Sequence, residues 1–92
     1  MDFEWDETKA ESNFKKHEIR FSEAVTVWED ESALEMLDPD HSKSEERWIR
    51  LGHSNKGRVL VIVYCERLEG DRVRIISARK ATKTEENQYY SR

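Results

Sequence analysis

The stretch VRIISARKAT, residues 73–82, combines strand-forming residues with positive charge. Arg74 stands among its apolar residues, and Arg79 with Lys80 follows them. Guanidinium groups bind phosphate oxygens through paired hydrogen bonds, and cations on a rigid strand can stabilise the extra negative charge of a phosphorane. The pattern therefore predicts recognition of a phosphate-containing ligand such as the backbone of RNA.

Arg67 is expected to join the same surface. The turn EGD at residues 69–71 predicts a hairpin, which brings Arg67 near residues 72–74 of the next strand. Cross-strand ion pairs are the alternative explanation for these arginines. The acidic residues available for such pairs lie mostly at the turn: Glu66, Glu69 and Asp71. We therefore expect part of the positive charge to remain unneutralised.

Proton-transfer groups occur in the segment DHSKSEERW, residues 40–48. His41 changes its charge near neutral pH, Glu45 or Glu46 could act as a base, and Arg47 adds a cation. The segment therefore contains the acid/base partners that the arginines lack. A solvated loop is the alternative, and it is the more common setting of a lone histidine.

The charges are divided unevenly along a chain of net charge -4. Residues 1–55 hold 15 acidic and 7 basic residues, whereas residues 56–83 hold 8 basic and 3 acidic residues. A basic region on an acidic protein binds a polyanion at one face while the remaining surface repels it. An ordinary solvated strand surface would show the same composition, so the asymmetry alone does not decide the function.

Length and composition indicate one folded domain that spans residues 1–92. Cys65 is the single cysteine, so no intramolecular disulfide can form, and we expect it to be a buried structural thiol. The histidines and Cys65 lack the spacing of metal ligands, and no glycine-rich phosphate loop is present. We therefore expect no metal and no cofactor. Without a signal pattern or a long apolar run, we also expect a cytoplasmic protein with no membrane contact.

The predicted elements give an α+β fold in which two N-terminal helices and a C-terminal helix pack on one face of an antiparallel four-stranded sheet. FEWD at residues 3–6 is a short strand, Asp6 caps the first helix and Ser22 caps the second. Thr82 and Glu85 form a capping box for the last helix. The four strands are expected within residues 33–40, 46–54, 58–68 and 72–78. Alternation along the last strand predicts one face with Val73, Ile75 and Ser77, and another with Arg74, Ile76 and Ala78.

The blocks FEWDETKAESNFKKH, FSEAVTVWED, EERWIRLGHS, VLVIVYCER and VRIISARKAT, in this order, resemble the BrnT toxins of bacterial type II toxin–antitoxin modules. The resemblance covers nearly the whole chain. It implies a RelE-like fold, a messenger-RNA endonuclease that halts translation, and a neutralising BrnA-type antitoxin. It also implies that the antitoxin carries a ribbon-helix-helix domain and represses the shared operator.

The resemblance selects the basic region as the site, and the chemistry of the side chains assigns roles within it. Arg67 and Arg79 are expected to be the leading phosphate ligands, with Glu46 or His41 as base or acid. The remaining expected RNA contacts are Arg47, Arg74, Lys80 and Tyr89. We expect a 2:2 complex with the antitoxin, through which alone the chain would reach operator DNA. A non-catalytic module, whose basic face docks an acidic partner or an operator-bound complex, is the alternative.

Two positions depart from the family pattern. Glu18 replaces a usual glycine after the first helix, which is expected to cost ~1 kcal/mol if its φ is positive. Glu86 replaces a usual basic residue after ATKTE. The second departure bears on activity rather than on the fold.

Overall fold

A five-stranded mixed sheet forms the frame of the protein in the computed structural model, which describes residues 1–39 and 46–92. The strands are β1 (Asp2–Glu4), β2 (Leu34–Leu37), β3 (Trp48–His53), β4 (Val59–Arg67) and β5 (Arg72–Lys80). Their order across the sheet is β1-β5-β4-β3-β2. β1 runs parallel to β5, and the other neighbours are antiparallel.

The prediction of a four-stranded antiparallel sheet was wrong because the FEWD segment adds a fifth, parallel strand. The amide of Asp2 donates to the carbonyl of Asp71 at 3.0 Å, which continues the backbone pairing. The ring of Phe3 meets the ring of Trp28 edge-on at 5.2 Å between centroids. Backbone pairing on one side and this aromatic contact therefore hold β1 at the edge of the sheet.

Helix α1 (Glu7–His17) has the predicted N-terminal cap. The Asp6 carboxylate accepts hydrogen bonds from the amides of Thr8 and Lys9 at 2.8 and 3.2 Å. The helix ends at Glu18, whose φ of 60° lies in the left-handed region and whose amide donates to the Phe14 carbonyl at 2.8 Å. Because this conformation favours glycine, the strain expected at Glu18 is present.

The second helical segment is shorter than predicted. Helix α2 (Phe21–Ala24) continues as a 3-10 segment over Val25–Glu29. Its N-cap is Arg20, which makes no side-chain capping bond, so the assignment of Ser22 as the cap was wrong. Helix α3 (Lys83–Tyr90) does begin with the predicted capping box of Thr82 and Glu85.

Two apolar clusters lie on opposite faces of the sheet. Helices α1 and α2 pack over a core that includes Leu60 and Ile62 of β4, whereas Tyr89 of α3 packs with Val59 and Val61. Alternate side chains of one strand point to opposite faces. The prediction that the helices share one face was therefore wrong, because α3 covers the other face.

A β-bulge in β5 changes which of its side chains face α3. Val63 pairs with Ser77 and Tyr64 pairs with Ile75, so Ile76 is the extra residue. Beyond the bulge the alternation is shifted by one, and Ala78 is buried in the same cluster as Ile75. The expectation that Ser77 would share that face was wrong, because strict alternation does not pass through a bulge.

The 3-10 segment approaches β3 closely at Gly52. A Cβ atom there would lie 2.8 Å from the Ala33 Cβ and 2.9 Å from both the Val27 Cγ1 and the Asp30 Oδ2. Contacts this short exclude any larger side chain. The absence of a side chain at Gly52 thus lets the Asp30 carboxylate lie against the end of β3, next to His53.

Candidate functional site

Three arginines gather around one carboxylate at the β4–β5 hairpin. Glu4 of β1 accepts from the Arg74 Nη1 at 2.8 Å and lies 3.5 Å from the Arg72 Nη1 and 3.6 Å from the Arg67 Nε. The pairing of Arg67 with Arg72 confirms the predicted hairpin register. We call Arg67, Arg72 and Arg74 the arginine cluster.

The arginine cluster is paired with carboxylates of β1 and is partly exposed. Glu4 is joined by Asp2, which lies 3.8 Å from Arg72, so β1 supplies carboxylate partners that the sequence analysis did not consider. The hydrogen bond from Arg74 is the main cause that lowers the pKa of Glu4. Between 31 and 45% of each arginine side chain is exposed. The cluster is therefore a solvent-accessible cationic surface on rigid strands.

A cleft of about 310 Å³ beside the cluster contains two of the predicted site residues, Glu46 and Arg67. Its other lining residues are Trp48, Cys65 and Glu66. Cys65 is buried, as predicted. Arg47 directly precedes β3, and its carbonyl accepts from the Asp38 amide at 2.8 Å. His41 lies outside the residues that the structure describes.

Arg79 and Lys80 lie apart from the arginine cluster, at the opposite end of β5. Arg79 lies five positions after Arg74, which corresponds to roughly 17 Å along a strand. The Arg79 guanidinium makes two hydrogen bonds to the Glu85 carboxylate, at 2.8 and 2.9 Å. Chiefly through these bonds, the pKa of Glu85 falls to about 2. Arg79 thus links β5 to the first turn of α3.

A second cleft, of about 640 Å³, opens where the end of α3 meets the end of β3. The Nε2 atom of His53 lies 2.6 Å from the Tyr90 hydroxyl, and the two rings meet edge-on. Six residues line this α3 cleft: Glu31, Ser32, His53, Tyr89, Tyr90 and Arg92. An imidazole and a phenol in hydrogen-bond contact can exchange protons with each other and with a bound ligand.

The neighbouring tyrosine, Tyr89, has a different setting. Its side chain is 7% exposed, against 63% for Tyr90, and its hydroxyl donates to the Asp30 Oδ2 at 2.6 Å. The same oxygen accepts from the His53 amide at 2.8 Å. Burial, reinforced by the hydrogen bond to Asp30, raises the pKa of Tyr89 to about 12. Tyr89, predicted as a substrate contact, therefore has its hydroxyl engaged within the protein.

The sequence analysis missed His53 and Tyr90 as a pair. The available signal was the doublet Tyr89–Tyr90 at the end of a helix, since two adjacent helical residues cannot both face the core. Alternation along β3 also places His53 on the face of Ile49 and Leu51, which α3 covers. Neither signal specifies that the two rings meet.

Within residues 1–39 and 46–92, no group of three or more histidine, cysteine or acidic side chains could hold a metal ion. Helices in the same two ranges are all too short or too polar to cross a membrane.

Comparison with known proteins identifies the family. The profile described as "Ribonuclease toxin, BrnT, of type II toxin-antitoxin system" matches residues 5–85. The 1.1 Å crystal structure of the Brucella abortus ribonuclease toxin BrnT has a similar fold, with a TM-score of 0.65 and 24% sequence identity. The match covers 90% of this chain and 99% of the Brucella chain. No curated protein sequence matches significantly. The chain therefore belongs to the BrnT family of ribonuclease toxins of type II toxin–antitoxin systems.

Proposed function

We propose that this chain is a metal-independent endoribonuclease that cleaves messenger RNA and so inhibits translation. The family supplies the ribonuclease class, and the arginine cluster is the observation that carries the assignment to this chain. Three guanidinium groups, held on paired strands by Glu4, offer partly exposed donors to a polyanion. RNA phosphates can take the place of the exposed carboxylate contacts because surface ion pairs are weak.

The arginine cluster would bind phosphates of the RNA backbone. Arg67 and Arg74 are its members with predicted roles, and Arg67 also lines the cleft that contains Glu46. Arg47 precedes the strand on the other side of that cleft. Lys80 and Arg79, at the far end of β5, would extend the contacts along an RNA strand.

Two positions compete for the proton-transfer step. One is Glu46 in the cleft beside Arg67, with His41 as its predicted partner. The other is His53 with Tyr90 in the α3 cleft. At either position, attack by the 2′-hydroxyl on the neighbouring phosphorus would leave a 2′,3′-cyclic phosphate on one product and a 5′-hydroxyl on the other.

The test is cleavage of single-stranded RNA by the purified chain with and without excess chelator. We expect cleavage to persist in chelator and the product to carry the cyclic phosphate. Arg67→Ala should lose activity, whereas Lys16→Ala, which removes one exposed charge from α1, should keep it. Loss of all cleavage on chelation would contradict metal independence.

The partner of a toxin in this family is an antitoxin, and we propose that it is of the BrnA type. A ribbon-helix-helix domain would dimerise it, giving a 2:2 complex that binds operator DNA through the antitoxin. An acidic antitoxin segment would dock on the basic face, because the rest of the surface is acidic and repels it. Charge reversal at Arg79 and Lys80 should weaken the complex, measured by calorimetry at two salt concentrations. Unchanged affinity would show that the antitoxin binds another surface. Tight binding of operator DNA by the isolated chain would contradict the proposal that the complex reaches DNA only through the antitoxin.

A non-catalytic docking module is the second candidate. It is favoured by the carboxylate partners of Arg74 and Arg79, because cations already paired within the fold can serve stability alone. Induction of the wild type and of Arg67→Ala in a bacterium separates the two. Growth arrest by the wild type alone supports the ribonuclease, and arrest by neither supports the docking module.

A further inference from the structure

We propose that His53 and Tyr90 are the catalytic proton-transfer pair of this ribonuclease, a role that rests on the proposed function above. The carrying observation is their direct contact, 2.6 Å between the His53 Nε2 and the Tyr90 hydroxyl, at the edge of a 640 Å³ cleft. His53 also lines an adjoining cleft of about 270 Å³. A ligand in either cleft would therefore reach the imidazole.

His53 is held in place through its backbone. It is the last residue of β3, its amide donates to the Asp30 Oδ2 at 2.8 Å, and the preceding Gly52 packs directly against Asp30. Asp30 is itself fixed because its other oxygen accepts from the Ser32 amide at 2.9 Å. Catalytic groups need such a fixed position, since small errors in geometry reduce rates strongly.

Tyr90 is positioned from the other side of the cleft by α3. Its neighbour Tyr89 is buried and donates to Asp30, the residue that also fixes His53. At the opposite end of α3, Arg79 binds Glu85 through two hydrogen bonds. The helix is therefore attached at both ends, and one carboxylate sets the positions of both catalytic rings.

The chemistry balances with these two groups alone. In the tautomer whose Nε2–H donates to the Tyr90 oxygen, the His53 Nδ1 holds a lone pair and the phenol keeps its proton. Nδ1 takes the proton of the 2′-hydroxyl as its oxygen bonds to phosphorus, and the phenol protonates the 5′-oxygen as the bond from phosphorus to that oxygen breaks. The imidazolium then returns a proton to the phenolate across the 2.6 Å contact, and exchange with water restores the tautomer.

The charges around the pair include one cation. Arg92 lies over the Tyr89 ring at 4.9 Å and lines the α3 cleft, where it can face a phosphorane. Acidic groups face His53 from the segment after α2: Glu29 and Asp30 in the smaller cleft and Glu31 in the larger. The imidazolium formed during the reaction would thus lie beside acidic side chains, an arrangement also found at the histidine of serine proteases.

The test compares His53→Gln and Tyr90→Phe with His17→Gln, a matched change at the end of α1. We expect kcat for RNA cleavage to fall by about 10²-fold in the first two, with little change in KM and in the melting temperature. Wild-type activity should fall at low pH, because a general base acts only in its deprotonated form. This fall should be smaller in His53→Gln. His17→Gln should match the wild type.

Four outcomes would overturn the assignment. Full activity in His53→Gln, with an active wild type, would overturn the assignment of the pair and leave the proposed function standing. The same conclusion would follow if Glu46→Gln lost kcat while His53→Gln stayed active. A higher KM with unchanged kcat would show that the pair only binds RNA. A wild type that cleaves no RNA would overturn the proposed function together with this inference.

Discussion

Helix α3 packs on one face of the sheet. The two ends of that face hold their polar side chains in different ways. At the hairpin end, three arginines share Glu4 through contacts of 2.8 to 3.6 Å and remain partly exposed. At the α3 end, Asp30 is bonded to the buried Tyr89 and to the backbone of His53. The first arrangement lets its cations change partners, whereas the second fixes the geometry of its rings.

This difference indicates a division of labour along the sheet. Surface ion pairs contribute about 0–1 kcal/mol each, so the arginine cluster can exchange Glu4 for RNA phosphate at little cost. A proton-transfer pair gains from fixed geometry instead. His53 pairs with Val59, and Arg74 with Cys65, so about 20 Å of strand separates the two ends. An RNA chain would therefore span both.

The largest effect is expected from removing two members of the arginine cluster. Arg67→Ala combined with Arg74→Ala should lower kcat/KM for RNA cleavage by about 10²-fold, because both cations bind phosphates of the RNA chain. The melting temperature should change little, since these ion pairs are exposed. Steady-state kinetics and thermal unfolding check both parts. Melting far below the wild type would show that the cluster supports the fold and would remove the contrast between the two ends.

The next effect concerns stability at the α3 end. Tyr89→Phe removes the hydroxyl that donates to Asp30 and leaves a partly buried carboxylate with one donor fewer. Loss of such a bond costs about 1–3 kcal/mol, which should appear as a lower free energy of unfolding in urea. Activity should fall as well, because Tyr90 would lose its fixed position. A variant as stable as the wild type would show that Asp30 does not hold α3.

A smaller, pH-dependent effect is expected at Arg79 and Glu85. The pKa of Glu85 is lowered to about 2, so the pair stabilises the fold above the ordinary glutamate pKa and loses this contribution as pH falls toward 2. Arg79 is partly exposed, so the contribution should be about 1 kcal/mol or less. Arg79→Ala should flatten the dependence of stability on pH between about 5 and 2, and Arg79→Lys should restore part of it.

The same variants separate the two roles open to Arg79. If Arg79 only links β5 to α3, Arg79→Ala should lower stability and activity together, and Arg79→Lys should recover both in part. If it binds phosphate in the transition state, activity should fall by about 10²-fold with little loss of stability. Unfolding curves and cleavage rates from the same preparations distinguish the two results.

Local features of the fold could be predicted from the sequence, and distant contacts could not. The Asp6 cap, the Thr82–Glu85 capping box and the pairing of Arg67 with Arg72 all depend on residues within a few positions of one another. Short-range geometry is fixed by helix and hairpin rules, which a single sequence displays.

The features of the site that could not be predicted from the sequence depend on contacts between residues far apart in the chain. Glu4 bonds to a residue 70 positions away, and His53 to one 37 positions away. The bulge at Ile76 also left no mark in the alternation of apolar residues, although it shifts Arg79 toward α3. Charge counts found the basic region, but they could not show which carboxylates enter it.

The smallest effect is expected from Glu4→Gln, and it tests whether the arginine cluster is available to RNA. In the wild type, Glu4 is the carboxylate shared by Arg67, Arg72 and Arg74. Its neutralisation should strengthen binding of single-stranded RNA by a few-fold and steepen the salt dependence, since each added phosphate contact contributes about -0.7 to the slope of log affinity against log salt. Glu7→Gln, an equal change of charge at the start of α1, should have a smaller effect. Weaker binding by Glu4→Gln would mean that Glu4 orients the guanidinium groups for phosphate, and the hairpin end would then be as fixed in geometry as the α3 end.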